Sequence, residues 1–212
     1  MTTSSPNPPA PSQGAPGAPD AAHAQALEDL RYIRRTMEGA ASFTALSGWG
    51  VAAIGVTAFP AAYLAAGADR PDVHRFWMLV WLVEALIGIA IGVATTARKA
   101  RRAQEPLFGR PGRKFALTFA TPMAAGAILT IHLYYGGMAA VLPGMWLLLY
   151  GTAFATAGAF SVSTVPVMGL CFMLVGTAAL AAPAALGNVF MAAGFGALHV
   201  VFGALIARKH GG

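Results

Sequence analysis

Glu84 is the only acidic residue inside an apolar run of this sequence. At the centre of a bilayer a charged side chain costs about 2.5–3.5 kcal/mol on insertion scales. Without a cation beside it, a carboxyl there is cheapest as the neutral acid, which donates a hydrogen bond. Helical spacing puts Glu84 on one face with Val80, Gly88 and Gly92. That small-residue face belongs inside a bundle, so Glu84 should point inward. Two other polar side chains occupy similar depths in their own apolar runs. From a rise of 1.5 Å per residue, Glu84 lies about 12 Å, Tyr150 about 13 Å and His199 about 16 Å below one common surface. Three readings follow: a structural hydrogen-bond network of Glu84, Tyr150 and His199, a proton- or ligand-linked site built from them, or three groups that never meet.

Other reactive types are scattered. His132 lies only about 5 Å deep, so it and His199 differ by roughly 12 Å along the normal and make poor axial partners for a haem. The stretch Gly158-Ala159-Phe160-Ser161 with His199 invites comparison with rhomboid proteases, which place a Gly-x-Ser serine and a histidine on neighbouring helices. The spacing differs, and Ser161 falls roughly 10 Å from His199 in depth, so the comparison fails on geometry. The single cysteine, Cys171, excludes an intrachain disulfide and reads as a small buried hydrophobe. His74 and His210 fall outside the apolar runs and read as solvated. No metal-ligand pair, P-loop or dinucleotide fingerprint is present. The sequence therefore predicts no catalytic residues, no metal and no cofactor.

The elements that must position these groups follow from composition. Hydrophobic types make up 57% of the 212 residues and charged ones only 10%. A soluble domain carries about 25% charged residues, so this chain has too few to cover a sphere in water. The mean hydropathy of +0.61 agrees. Six spans of about 20 residues fit the length. Apolar segments run over about 43–66, 76–97, 115–135, 140–160, 164–182 and 188–207. The last connections are short, which makes their neighbours antiparallel hairpins. The fold class is thus an all-α membrane protein, a six-transmembrane-helix bundle over 43–207.

Two segments precede it. Residues 1–22 hold six of the fourteen prolines among Ser, Gly and Ala, and read as a disordered tail. They lack the basic and apolar regions of a secretory signal. Residues 23–39 read as an amphipathic helix, with Ala26, Leu30, Ile33 and Met37 on one stripe. Such a helix could lie at the headgroup boundary or pack under the bundle.

Basic residues set the orientation. Arg31, Arg34 and Arg35 precede the first span. Arg98, Lys99, Arg101, Arg102, Arg110, Arg113 and Lys114 lie between the second and third, and Arg208 and Lys209 follow the sixth. Six spans put all twelve on one side and leave only Arg70 and Arg75, of fourteen, on the other. The positive-inside rule makes the first side cytoplasmic, with both termini there. Tyr63, Trp77, Tyr134, Tyr135 and Trp146 fall near outer span ends and Trp49 near an inner one, the depths amphipathic rings favour. The net charge of +6 meets anionic headgroups, with the 98–114 loop the main contact. No basic helix carries interleaved aromatics, so nucleic acid is not an expected partner.

Close packing is expected where small residues gather. Gly88 and Gly92 form a GxxxG face, and Gly151, Gly158, Gly194, Gly196 and Gly203 mark the fourth and sixth spans. Pro60 and Pro122 should kink the first and third spans.

The stretch Leu30-Arg31-Tyr32-Ile33-Arg34-Arg35-Thr36-Met37-Glu38, followed by Phe43-Thr44-Ala45 and Gly48-Trp49-Gly50, resembles the lead-in to the first helix of a group of uncharacterised bacterial six-helix inner-membrane proteins. Trp146-Leu147-Leu148-Leu149-Tyr150-Gly151 extends the likeness. It implies a bacterial inner-membrane location and carries over no catalytic residue. The expected function is that of a non-enzymatic structural or partner-regulating subunit, with a membrane or cytoplasmic protein as partner. The alternative is a small transporter or sensor with a proton- or ligand-linked site around Glu84. A polar cavity reaching Glu84 would favour the alternative, and a dry interior the first reading.

Overall fold

The computed structural model describes residues 23–33, 44–67, 73–104 and 109–210. The expected tail over 1–22 and the end of the leader helix, 34–39, lie outside the described residues. Helix α1 covers residues 23–33 and is exposed along its length. It belongs to a unit of its own, Met1–Ala40.

The second unit holds six helices, all long and apolar enough to cross a membrane. They are α2 (Gly48–Ala66), α3 (Val73–Arg102), α4 (Arg110–Tyr135), α5 (Ala139–Phe160), α6 (Thr164–Ala181) and α7 (Ala184–His210). The apolar runs thus became helices, but their ends moved for identifiable reasons. Helix α2 begins at Gly48 and not near 43, because the Ser47 hydroxyl accepts from the Gly50 N–H at 3.2 Å and caps the first turn. Helix α3 runs past 97, since Lys99, Arg101 and Arg102 are good helix formers that favour the negative end of the helix dipole. Helix α4 starts early at Arg110-Pro111, where proline's missing N–H costs nothing.

Two glycine seams hold the bundle. In α2, Gly48 and Gly55 are seven residues apart, as are Gly196 and Gly203 in α7. A Cβ on Gly48 would lie 2.2 Å from the Ala207 nitrogen, and one on Gly203 2.3 Å from that of Ala52. The second seam pairs Gly144 and Gly151 of α5 with Gly169 and Gly176 of α6, again at intervals of seven. A Cβ on Gly169 would meet the Ala155 nitrogen at 2.3 Å. A repeat of seven keeps one small face turned to an antiparallel neighbour. Helix α3 packs on α2, and α4 on α5, so these two form the flanks.

The helix ends gather by charge. The Lys99 ammonium donates to the carbonyls of Leu46 (3.2 Å) and His210 (2.9 Å), tying together α3, the approach to α2 and the end of α7. Lys114 sits 5.6 Å over the Phe160 ring. All seven basic residues of the α3–α4 connection therefore lie at the end that also holds Arg208 and Lys209.

Candidate functional site

Tyr150 and His199 meet. The tyrosine oxygen lies 2.8 Å from Nε2 of His199. His199 is fully buried, and rings surround it: Phe172 at 5.2 Å, Tyr150 at 5.4 Å, Phe195 at 6.0 Å and nearly parallel, and Phe154 at 6.5 Å. Phe119 of α4 closes the cluster edge-on to Tyr150 and Phe154. Phe195 lies in a π-helical stretch, Ala192–Leu198, and His199 directly follows it. Such one-turn bulges recur at functional sites. The carbonyls of Gly194 and Phe195 approach the imidazole, yet Nδ1 closes no hydrogen bond of good geometry. Their proximity favours the tautomer with its hydrogen on Nδ1. Nε2 then accepts, and the Tyr150 O–H donates to it. An imidazole sealed by rings in this way has no access for substrate, and Tyr150 is its hydrogen-bond partner.

Glu84 is elsewhere. The expected three-membered cluster divides, because the hydrogen bond of Glu84 runs across to α2, where the Thr57 hydroxyl lies 2.8 Å from Oε1. Helix α3 is a flank against α2, so a residue facing inward from it reaches α2 first. Gly88, one turn on, is buried against Ile54 of α2 and not against a second backbone. Glu84 is only 7% exposed. The Thr57 hydroxyl also lies 2.9 Å from the Ile54 carbonyl. It has one hydrogen for three acceptors, the Ala53 carbonyl at 3.4 Å being the most distant. If it serves the backbone, the proton of the Glu84 contact belongs to the carboxyl. No basic side chain pairs with Glu84 among the described residues.

A groove of about 450 Å³ runs beside this pair. Thr57, Pro60, Ala61 and Leu64 form its α2 wall. Val80, Val83 and Glu84 stand on the α3 wall, between Leu79 and Ile87. Leu64, Leu79 and Val83 are each more than half exposed, so the groove opens sideways between the helices.

At the other end from the basic cluster, Asn188 ties α7 to α3. Its Oδ1 accepts from the indole N–H of Trp77 (2.7 Å) and Trp81 (3.2 Å). Trp77 stacks on Trp146 at 5.3 Å. Trp146 donates to the Thr130 hydroxyl at 2.7 Å, which donates to the Gly126 carbonyl at 2.7 Å. Neither Asn188 nor Thr57 stood out in the sequence. The available signals were an asparagine opening an otherwise apolar run and a threonine three residues before Pro60.

The remaining sequence candidates stay apart. His132 is exposed in the last turn of α4. Ser161 follows the turn Gly158–Phe160 at the basic end and makes no bond to His199. Cys171 is a free, partly buried thiol in α6. His74 and His210 are exposed. Among the described residues no group of three His, Cys, Asp or Glu could hold a metal.

Fold and sites together define an all-helical protein with six helices of membrane-crossing length and apolarity. No protein-family model, curated protein or solved structure matches the chain.

Proposed function

We propose that the chain is an integral protein of a bacterial inner membrane, crossing it six times with both termini in the cytoplasm. In this reading it is a non-enzymatic structural or partner-regulating subunit. Support for membrane insertion comes from the outer surface. Val83, Leu86, Ile89, Leu117, Ile128 and Leu174 are all more than half exposed. Water would not tolerate apolar cover on that scale, whereas lipid tails would. Support for the orientation comes from the basic end, with Arg98, Lys99, Arg101, Arg102, Arg110, Arg113 and Lys114 in contact with anionic headgroups.

The observation that carries the subunit reading is how the polar groups at depth are used. The Tyr150 hydroxyl and Nε2 of His199 pair with each other inside a shell of rings. Glycine seams bring α2 onto α7 and α5 onto α6 at backbone contact. That interior serves packing, and a hydrophilic solute would find few partners along it. The test is cross-linking in intact bacterial membranes, with photoreactive residues on the exposed faces of α1, α3 and α4. The subunit reading expects one discrete adduct with a second protein that survives purification. A chain that cross-links only to lipid under all three placements contradicts it.

A further inference from the structure

The groove at Glu84 belongs to none of the packing just described, and its chemistry is specific. Oε1 of Glu84 is taken by Thr57. Oε2 has no hydrogen-bond partner among the described residues and is not fully buried. Oε2 thus keeps a slight exposure, and Glu84 is one of the two polar residues that line the groove. Thr57 stands nine residues from either end of α2, about 14 Å from each. The pair thus sits at mid-depth of a hydrocarbon layer about 30 Å thick. Phospholipid headgroups and esters stay some 15 Å away at the interface. Whatever meets Oε2 is dissolved in the membrane core.

The walls restrict its body. Apart from Thr57 and Glu84 they are Pro, Ala, Leu, Val and Ile, with no ring for an aromatic ligand to stack on. The groove is also short. Thr57 to Leu64 and Leu79 to Ile87 span about 10–12 Å along their helices. A partner transmembrane helix would rest along most of the 30 Å layer.

The head group follows from proton counting. If the Thr57 hydroxyl donates to the Ile54 carbonyl, Oε1 carries the carboxyl proton and Oε2 accepts. If Thr57 donates to Oε1, the acid proton is on Oε2 and Oε2 donates. A hydroxyl both donates and accepts, so it fits either arrangement. We infer that the α2–α3 groove is a binding site for a membrane-dissolved aliphatic alcohol, straight-chain or isoprenoid, whose hydroxyl pairs with Glu84. This rests on the membrane placement proposed above and not on the partner role. The partner reading can fail with this site intact.

The test uses the full chain, purified alone and reconstituted in lipid nanodiscs. Dicyclohexylcarbodiimide is an apolar reagent that adds to a protonated carboxyl without a leaving group and ends as an N-acylurea. Peptide mass spectrometry should find it on Glu84. Dodecanol, or a branched isoprenoid alcohol of equal length, should slow the modification at least fivefold more than dodecane does at equal membrane concentration. The alcohol that protects better identifies the source class. Val83→Trp enlarges a half-exposed residue on the groove wall and should slow the modification without alcohol. The inference is overturned if Glu84 stays unmodified in the folded protein. It is equally overturned if dodecane protects as well as the alcohols, or if neither alcohol protects. Protection only by a second membrane protein added to the nanodiscs, and by neither alcohol, would make the groove a helix-docking seam and also overturn it.

Discussion

The hydroxyl of Tyr150 on α5 and Nε2 of His199 on α7 lie 2.8 Å apart, inside a shell of phenylalanine rings. The contact joins the two glycine seams, because α5 belongs to one and α7 to the other.

Breaking this pair from one side should cost more than replacing both members. Tyr150→Phe leaves Nε2 unpaired and should lower stability by about 1–2 kcal/mol. His199→Ala also leaves a void among rings and should cost about 2–4 kcal/mol. The double variant Tyr150→Phe with His199→Phe leaves no void and removes both polar groups, so even with some overpacking it should be less destabilised than His199→Ala. Unfolding in mixed micelles, followed by tryptophan fluorescence, checks the order. A double variant as unstable as His199→Ala would show that the hydrogen bond is not the reason for the pair.

The glycines should divide sharply. Gly169→Ala puts a methyl 2.3 Å from the Ala155 nitrogen, where only backbone movement can relieve it. It should destabilise by about 1–3 kcal/mol. At Gly92 the same methyl meets only the Ile54 side-chain tip at 3.7 Å, which is ordinary contact. Gly92→Ala should be neutral, or slightly stabilising through helix propensity. Thermal melting of the two variants side by side is sufficient, and equal effects would contradict the seam assignment.

Asn188→Leu should strip an acceptor from two indoles at once. The expected cost is about 1–2 kcal/mol, given the modest worth of interhelical hydrogen bonds in lipid. A change in the emission maximum of Trp77 and Trp81 should accompany it. An unchanged spectrum would mean that the indoles do not rely on Asn188.

Much of the architecture was legible because lipid-length apolar runs and basic punctuation are long-range signals. The site was legible only in part. Depth along a span can be counted, so Tyr150 and His199 could be matched. Which helix faces which cannot be counted, so Glu84 was grouped with them although α3 meets α2 first. The GxxxG of Gly88 and Gly92 marks the face of α3 that is turned to α2, but it meets the Ile54 side chain and not a second backbone. The seams that do bring backbones together repeat every seven residues, at Gly48 and Gly55 or Gly169 and Gly176. That spacing identifies a seam only when the pairing of helices is known, and for α2 with α7 the sequence does not show it. The π-helical turn at Ala192–Leu198 leaves no comparable trace, because its residues are ordinary helix formers and glycines.

Single-cysteine accessibility in intact bacterial cells tests the six-span placement most directly. On a Cys171→Ala background, cysteines replace Met138, in the connection after α4, or Arg101, at the basic end. A membrane-impermeant maleimide should label the cysteine at 138 from outside, and the one at 101 only after the inner membrane is opened. Labelling at 101 in intact cells, or protection at 138, would contradict the account.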